Sequence, residues 1–287
     1  MAVADRLVVC ASHSPGMMRD VEHAFGLEFR AGLAEVRALV GEFAPDIVVL
    51  FGGDHRRAFR KVVPAFAVAL SAGIMAEAGQ PGGELRVPAD VARGLADHLL
   101  EVGFDISVCR EIELDHAFAQ PLRDLSASLD AYPVIPVPIN CATAPLPTPE
   151  RVLEFGAAVA EFLDGIDQRV LVIGTGGLSH SPPSLEVDTH DMSDEERARI
   201  IAAGYAAAEK KIKPVWDQAF LDALTSWDTS RLAELATVAH EQAGVGANEV
   251  RTWLAAGAAG GGEPFERIAY EPVQKWITGM GLAISRR

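Results

Sequence analysis

The sequence is poor in cysteine, in basic residues and in long apolar runs, and each shortage excludes a class of protein. Its 287 residues include 3 cysteines and no C-x-x-C pair that would indicate a zinc or redox motif. With 25 basic against 40 acidic side chains, the net charge is −15, so no basic stripe is available to displace the counterions of nucleic acid. No apolar stretch reaches the length of a membrane span, and the N-terminus has no cationic leader. We therefore expect a reduced, soluble, cytoplasmic protein that binds neither nucleic acid nor membranes.

Short apolar runs recur along the chain and indicate buried strands. Six of them are rich in Val, Ile or Leu without polar alternation, which is typical of strands covered on both faces. They are residues 7–10, 47–51, 66–70, 106–109, 134–137 and 170–173. Segments of helical period lie between several of these strands, at residues 28–43, 88–102 and 149–163. Strands that alternate with helices predict an α/β fold, a three-layer sandwich with a mainly parallel central sheet.

The character of the sequence changes after Pro183. Helices are predicted from residue 193 to about 224, with a break near Pro214, and over residues 230–242 and 248–258. We expect these to form a helical C-terminal layer on the sheet, with the apolar segment 273–284 as an interface or as core. No linker, repeat or shift in composition divides the chain, so residues 1–287 are predicted to form a single catalytic domain.

Three histidines closely follow predicted strands. His13, His55 and His180 each come after an apolar run, beside small or conformationally special residues. In an open α/β sheet, ligands bind beyond the carboxyl ends of the strands, so these side chains are expected at one edge. His116, directly after Asp115, lies in a similar context. One such histidine alone is more often a core residue bonded to backbone, but four of them indicate a site.

Two histidines and one carboxylate that leave open positions form the facial triad of non-haem Fe(II) oxygenases. The imidazoles and the oxygen anion occupy one face of the metal, and the other face stays free for substrate and dioxygen. Glu249 is an attractive third ligand because it opens an otherwise apolar helix beside Trp253. The same position equally suits a carboxylate that only interacts with the helix N-terminus, so the pattern alone leaves this ligand open.

Five stretches in collinear order resemble the type III extradiol ring-cleaving catechol dioxygenases. They are ASHSP at 11–15, VVLFGGDH at 48–55, LDHAFAQPL at 114–122, GTGGLSHSPP at 174–183 and NEVRTWLAA at 248–256. The likeness also includes PVIPVPINCATAPLP at 133–147, PVWDQAFL at 214–221 and the WITGMG segment at 276–281. It therefore spans nearly the whole chain.

The resemblance implies a ligand set and two proton-transfer residues. The Fe(II) ligands that it implies are His13, His55 and Glu249. His180 would accept a proton from the bound catechol and His116 would donate one to the departing oxygen, or the two roles are exchanged. Asp115 would fix the orientation of His116 or of a bound intermediate.

The reaction that the resemblance implies is extradiol cleavage of a catechol with insertion of both atoms of dioxygen, carried out by a homo-oligomer. The implied substrate is 3-(2,3-dihydroxyphenyl)propionate or a related 3-substituted catechol. The same chemistry on protocatechuate, gallate or 2-aminophenol is an alternative, as are a zinc hydrolase and a non-catalytic interaction protein of the same fold. The complete set of site residues weighs against the last of these.

Two features bear on the substrate. The segment from Ser184 to about Lys211 is shorter than expected for enzymes that act on phenylpropionates, which leaves the ring-substituent preference open. Arg56, Arg57 and Arg60 follow His55 and could neutralise a substrate carboxylate. We favour the simpler interpretation of these arginines as a solvated basic turn.

Overall fold

The computed structural model describes residues 5–189 and 191–287, and a six-stranded sheet is its central feature. The strands are β1 (Arg6–Ala11), β2 (Ile47–Gly53), β3 (Ala67–Ala69), β4 (Ala72–Ile74), β5 (Gly83–Glu84), β6 (Ser107–Cys109), β7 (Ile112–Leu114), β8 (Val134–Ile139), β9 (Val170–Thr175), β10 (Glu266–Val273) and β11 (Thr278–Arg286). The main sheet has the order β10-β11-β1-β9-β2-β8. Strands β3 and β6 form a two-stranded sheet, and β5, β4 and β7 form a three-stranded one.

Eleven α-helices connect the described strands or follow them. They are α1 (Pro15–Arg19), α2 (Leu27–Phe43), α3 (Ala89–Glu101), α4 (His116–Leu125), α5 (Pro149–Asp164), α6 (Pro183–Glu186), α7 (Asp194–Ala208), α8 (Pro214–Thr225), α9 (Thr229–Thr237), α10 (Ala239–Ala243) and α11 (Val250–Ala259). Short 3₁₀ helices cover Val245–Glu249 and Gln274–Trp276. Within the described ranges, no helix combines the length and the hydropathy that crossing a membrane requires.

The fold is mixed α/β, and its main sheet is mixed too. All six strands predicted from apolar runs are present, and β1, β9, β2 and β8 pair parallel. The prediction of a mainly parallel sheet is wrong, because the chain ends in a hairpin in which β11 pairs antiparallel with both β10 and β1. The prediction missed this hairpin because β10 contains charged residues and Pro272 and so lacks a continuous apolar run. The helical C-terminal layer is therefore followed by two strands.

Both faces of the main sheet are covered. Successive side chains of a strand point to opposite faces, so the residues of β1 enter two different clusters of buried side chains. Leu7 and Val9 pack in a cluster with Phe29 of α2, whereas Val8 packs in a cluster with Phe155 of α5. Burial on both faces explains why the parallel strands have no polar alternation in the sequence.

The carboxyl ends of β1, β2 and β9 lie side by side. Strand β9 is between the other two, and its last residues Gly174 and Thr175 pair with Phe51 and Ala11 respectively. The loops that follow these strands therefore leave the sheet at one edge. This is the edge at which an open α/β sheet places its ligand.

Helices α5 and α11 approach each other closely at Gly156. A Cβ atom at this position would lie 2.4 Å from the carbonyl oxygen of Ala255 and 2.7 Å from the Cβ of Ala258. Helix α11 lies as close to β9, where a Cβ on Gly174 would be 2.7 Å from the carbonyl oxygen of Thr252. The two glycines therefore fix the position of α11 against the sheet.

The substitution Gly156→Ala tests this packing. We expect it to lower the free energy of unfolding by about 1–3 kcal/mol, because the added methyl group forces the helix backbones apart. Gly41 of α2 is the matched control, since it is exposed and a Cβ there would have no atom within 4 Å. Gly41→Ala should raise the free energy of unfolding by about 0.4–1 kcal/mol. Denaturant unfolding measures both, and equal stability of the two variants would contradict the packing.

Candidate metal and catalytic site

The structure brings the four predicted histidines together at the carboxyl edge of the main sheet. His13, His55 and His180 follow β1, β2 and β9, as the sequence predicts. His116 arrives by another route, as the first residue of α4 directly after β7. All four side chains are buried. The His13 ring centroid lies 5.3 Å from those of both His55 and His116, and the last two rings stack at 4.4 Å.

Glu249 places a buried carboxylate among these rings. It is the last residue of the 3₁₀ helix that leads directly into α11. Its Oε1 is 2.9 Å from Nε2 of His55, and its Oε2 lies 3.9 Å and 3.8 Å from Nε2 of His13 and His180. The backbone N–H of Gly177 donates to Oε2 at 2.8 Å. All five of the histidine and glutamate residues singled out in the sequence therefore occupy one site.

Two glycines permit this close packing. A Cβ at Gly176 would lie 2.4 Å from the Cβ of Glu249, and a Cβ at Gly246 would lie 2.3 Å from two atoms of the His180 ring. Gly176, directly after β9, therefore allows this strand to approach Glu249 closely.

Each imidazole is oriented through its Nδ1 atom. Nδ1 of His13 is 2.8 Å from Thr175 Oγ1, and Nδ1 of His180 donates to the carbonyl oxygen of Leu178 at 3.1 Å. The partner of His55 is a carboxylate, because its Nδ1 donates to Oδ2 of Asp115 at 3.0 Å. These partners fix the ring orientations and leave the Nε2 atoms to face Glu249 or the cavity.

Asp115 orients His55, whereas the resemblance had implied that it orients His116 or a bound intermediate. Its Oδ2 also accepts the backbone N–H of His55, and its Oδ1 accepts that of Ala117 and so caps helix α4. Nδ1 of His116 donates instead to Oε2 of Glu77 at 2.8 Å. Glu77 was not predicted from the sequence, because it lies in the loop between the short strands β4 and β5 and follows no apolar run directly.

Burial and neighbouring charges act in opposite directions on the protonation of the site. Burial lowers the pKa of His13 to about 3, which keeps this ring neutral. Burial alone would also lower the pKa of His55, but Asp115 and Glu249 raise it well above its usual value. Burial would raise the pKa of Glu249, but His180, His55 and His13 hold it below its usual range. Without a metal, the site therefore contains a His55 imidazolium between two carboxylates.

The donor atoms fit a divalent cation. Nε2 of His13 is buried and has no hydrogen-bond partner among the described residues, although it faces the carboxylate of Glu249. A neutral ring with one unpartnered nitrogen is the form in which histidine binds a metal. His13, His55 and His116 each offer a ligand atom within 4.8 Å of the others, so these three histidines are one possible ligand set. This set shares His13 and His55 with the set that the resemblance implies, in which Glu249 is the third ligand.

A cavity of about 90 Å³ opens beside the histidines. The four rings and Glu77 line this cavity. Three side chains of α7, Arg197, Ile201 and Tyr205, line it as well. The segment 184–211 therefore contributes directly to the cavity. These three residues were not predicted from the sequence.

The arginines that follow His55 do not line this cavity. Arg56 donates to the carbonyl oxygens of Val187 and Ala142 at 2.6 Å and 2.7 Å, and Arg57 pairs with Asp194 at 2.6 Å. Arg60 donates to the carbonyl oxygen of Met192 at 3.0 Å. These contacts hold the loop after β2 against the segment that leads into α7.

A buried cluster of imidazoles and carboxylates beside a cavity, at the carboxyl edge of an α/β sheet, is typical of a metalloenzyme. Residues 7–281 match the family described as the catalytic LigB subunit of aromatic ring-opening dioxygenase. The chain belongs to this family of metal-dependent dioxygenases.

Curated relatives that match almost the whole chain have a consistent name. A 2,3-dihydroxyphenylpropionate/2,3-dihydroxicinnamic acid 1,2-dioxygenase of Azotobacter vinelandii is 36% identical over 97% of this chain and 98% of its own. An enzyme of the same name from Klebsiella pneumoniae is 35% identical over 95% and 96%. The fold is also similar to that of an uncharacterized Escherichia coli K12 protein, with a TM-score of 0.56 over 97% of this chain and 98% of that one, at 13% identity.

Asp115→Asn tests whether the charge behind His55 supports metal binding. Asparagine can still cap α4, but it removes the negative charge from Nδ1 of His55. We expect the affinity for Fe(II) to fall about 10- to 100-fold, measured anaerobically by competition with a chromophoric chelator. Asp228→Asn, at the exposed N-cap of α9, is the matched control and should leave the affinity unchanged. Unchanged affinity in Asp115→Asn would show that this charge is not needed.

Metal affinity should also depend on pH. Both ring nitrogens of His55 face carboxylates, and the resulting rise in its pKa means that a metal at Nε2 must displace a proton. Lower pH favours the protonated ring, so the apparent affinity should increase with pH, by about tenfold per unit for one displaced proton. The same chelator competition at several pH values measures this slope. A flat profile would show that the apo site holds no such proton.

Proposed function

We propose that this protein is a non-haem Fe(II)-dependent dioxygenase that opens a catechol ring by extradiol cleavage. The substrate that we propose is 3-(2,3-dihydroxyphenyl)propionate or a related 3-substituted catechol, with both atoms of dioxygen inserted. The observation that carries the proposal is the Glu249 carboxylate against Nε2 of His55 and beside those of His13 and His180, next to an open cavity. The names of the curated relatives support the substrate.

His13, His55 and Glu249 would hold the iron. Two imidazoles and a carboxylate suit Fe(II) and leave its other positions open. The unpartnered Nε2 of His13 supports this set, as does the proximity of Glu249 to both rings. Bound iron would hold the catechol and dioxygen side by side and allow electron density to pass between them.

We assign His180 as the base that accepts a proton from the catechol. Its Nδ1–H donates to the carbonyl oxygen of Leu178, so the neutral ring has its lone pair on Nε2. Burial lowers the pKa of His180, which keeps the ring neutral and able to accept a proton at that atom. His180 also lines the cavity, as contact with a substrate hydroxyl requires.

We assign His116 as the proton donor. Its Nδ1–H donates to Glu77. Burial would raise the pKa of this carboxyl group, but the neighbouring His116 and His55 rings lower it to about 2. With Nδ1 bonded to this carboxylate, Nε2 is the atom through which His116 would donate a proton into the cavity that it lines. Asp115 would act as a positioning residue through His55 and the N-terminus of α4.

We also propose that residues 1–287 form one catalytic domain with a three-layer architecture. The two buried clusters on either face of one sheet support this proposal. The free thiols of all three cysteines support a reducing, cytoplasmic location. Exposed apolar side chains close together in sequence, Val21, Phe25 and Leu27, support assembly as a homo-oligomer.

The reaction is tested with protein purified anaerobically, loaded with Fe(II) and assayed under air with 3-(2,3-dihydroxyphenyl)propionate. We expect a yellow ring-opened product and equimolar consumption of oxygen. Glu249→Gln should lose tight iron binding and activity together. His180→Gln should retain iron but lose about 100- to 10,000-fold in kcat/KM, because proton transfer to the base is removed. His240→Gln, at an exposed position of α10, is the matched control and should behave as the unaltered protein.

Each contrary result has a definite meaning. Product from protocatechuate, gallate or 2-aminophenol alone would retain the chemistry and replace the proposed substrate. Bound iron without product from any of these compounds would favour a non-catalytic interaction protein. Full activity in His180→Gln would remove His180 from proton transfer.

A further inference from the structure

One face of helix α7 lines the cavity that the histidines also line. Arg197, Ile201 and Tyr205 follow one another at intervals of four residues and therefore lie on the same side of the helix. Most other residues of α7 are exposed, and only Ala208 is fully buried. This inner face of the helix is therefore available to contact a ring substituent when the catechol hydroxyls are directed toward the histidines.

Arg197 supplies a guanidinium to this wall without a carboxylate partner. Its NH2 group donates to the carbonyl oxygen of His55 at 2.7 Å, and NH1 donates to Thr189 Oγ1 at 3.0 Å. Neither acceptor is charged, and in the described ranges no carboxylate oxygen lies within ion-pair distance of Arg197. A guanidinium has five N–H groups, so others remain to bind an anion.

Other nearby arginines are less suited to bind an anion in the cavity. Arg57 is paired with Asp194, and Arg56 donates to backbone carbonyl groups outside the cavity. Arg19 reaches the cavity from α1, but it is exposed, so water screens its charge. Arg197 is half-buried, where a charge interacts more strongly with a ligand.

A carboxylate on the substrate needs hydrogen-bond donors where it leaves water. Without them, a substrate carboxylate that entered the cavity would lose its hydration without compensation. Two parallel N–H···O bonds from one guanidinium to the carboxylate would supply that compensation.

We propose that Arg197 binds the carboxylate of an acidic side chain on the catechol and so selects acidic over neutral ring substituents. Ile201, one turn further along α7, would contact the methylene groups of that side chain. The hydroxyl of Tyr205 donates to the carbonyl oxygen of Lys275 at 2.7 Å, so this residue contributes its ring as an apolar surface. The inference rests on the function proposed above and specifies its substrate class.

The test compares a matched pair of substrates, 3-(2,3-dihydroxyphenyl)propionate and its neutral amide. In the iron-loaded protein, we expect kcat/KM to be higher for the acid than for the amide. Arg197→Gln should lower the acid-to-amide ratio about 30- to 100-fold, the loss typical of a buried charged hydrogen bond. Arg197→Lys should lower it less, because lysine retains the charge but not the planar fork.

Arg199→Gln is the control for a change of charge in the same helix. Arg199 is exposed, lies 3.9 Å from Glu195 and does not line the cavity, so the ratio should not change. An equal fall in kcat/KM for acid and amide in Arg197→Gln would overturn the proposal, because Arg197 would then act through His55. Unchanged kcat/KM for both substrates in Arg197→Gln would overturn it as well.

A binding measurement separates this inference from the proposed reaction. 3-Phenylpropionate and 3-phenylpropanamide have no hydroxyl groups and can be titrated calorimetrically without turnover. Selective binding of the acid that is lost in Arg197→Gln would support Arg197 even if no catechol were cleaved. Equal binding of the acid in the unaltered protein and in Arg197→Gln would overturn the inference, whatever the outcome of the cleavage assay.

Discussion

The buried carboxylate of Glu249 is the constraint on which the arrangement of the site depends. An ionised carboxylate removed from water is destabilising unless hydrogen bonds and opposite charge compensate it. Here the compensation comes from His55 at 2.9 Å and from the N–H of Gly177 at 2.8 Å. The contact with Gly177 requires the start of α11 to lie very close to the end of β9, where glycine occupies positions 174 and 176. Gly156 allows α5 to pack equally closely against α11.

The same geometry explains what the sequence could predict. His13, His55 and His180 were recognisable because each follows an apolar strand, and parallel strands end at one edge. Glu249 follows no strand and reaches that edge from a helix of the C-terminal layer, so family resemblance was needed to choose it among 40 acidic residues. Glu77 was not predicted because its contact with His116 depends on tertiary structure alone. The hairpin at the end of the chain was not predicted because its edge strand, β10, has no continuous apolar run.

His116 and His180, the two histidines outside the proposed ligand set, differ in their hydrogen-bond partners. His180 donates to a neutral carbonyl oxygen, and burial favours its uncharged ring. His116 donates to a carboxylate, that of Glu77. A carboxylate partner suits a ring that donates a proton, whereas a buried ring with a carbonyl partner suits a proton acceptor. The difference between Leu178 and Glu77 as partners therefore supports the order of roles that we propose.

The proposed metal ligands and the proposed substrate-binding residues lie in parts of the fold that are packed differently. The proposed metal ligands sit at the ends of buried strands and of a closely packed helix, where small changes in volume are costly. Helix α7 has one fully buried side chain and contacts the rest of the structure mainly through α6, where a Cβ on Gly204 would lie 2.7 Å from Pro183. Substitutions on its inner face can therefore change the shape and charge of the cavity while the sheet edge keeps its geometry. Because α7 is mostly exposed and the metal ligands proposed here lie elsewhere, a change of ring-substituent preference would not require a change of those ligands.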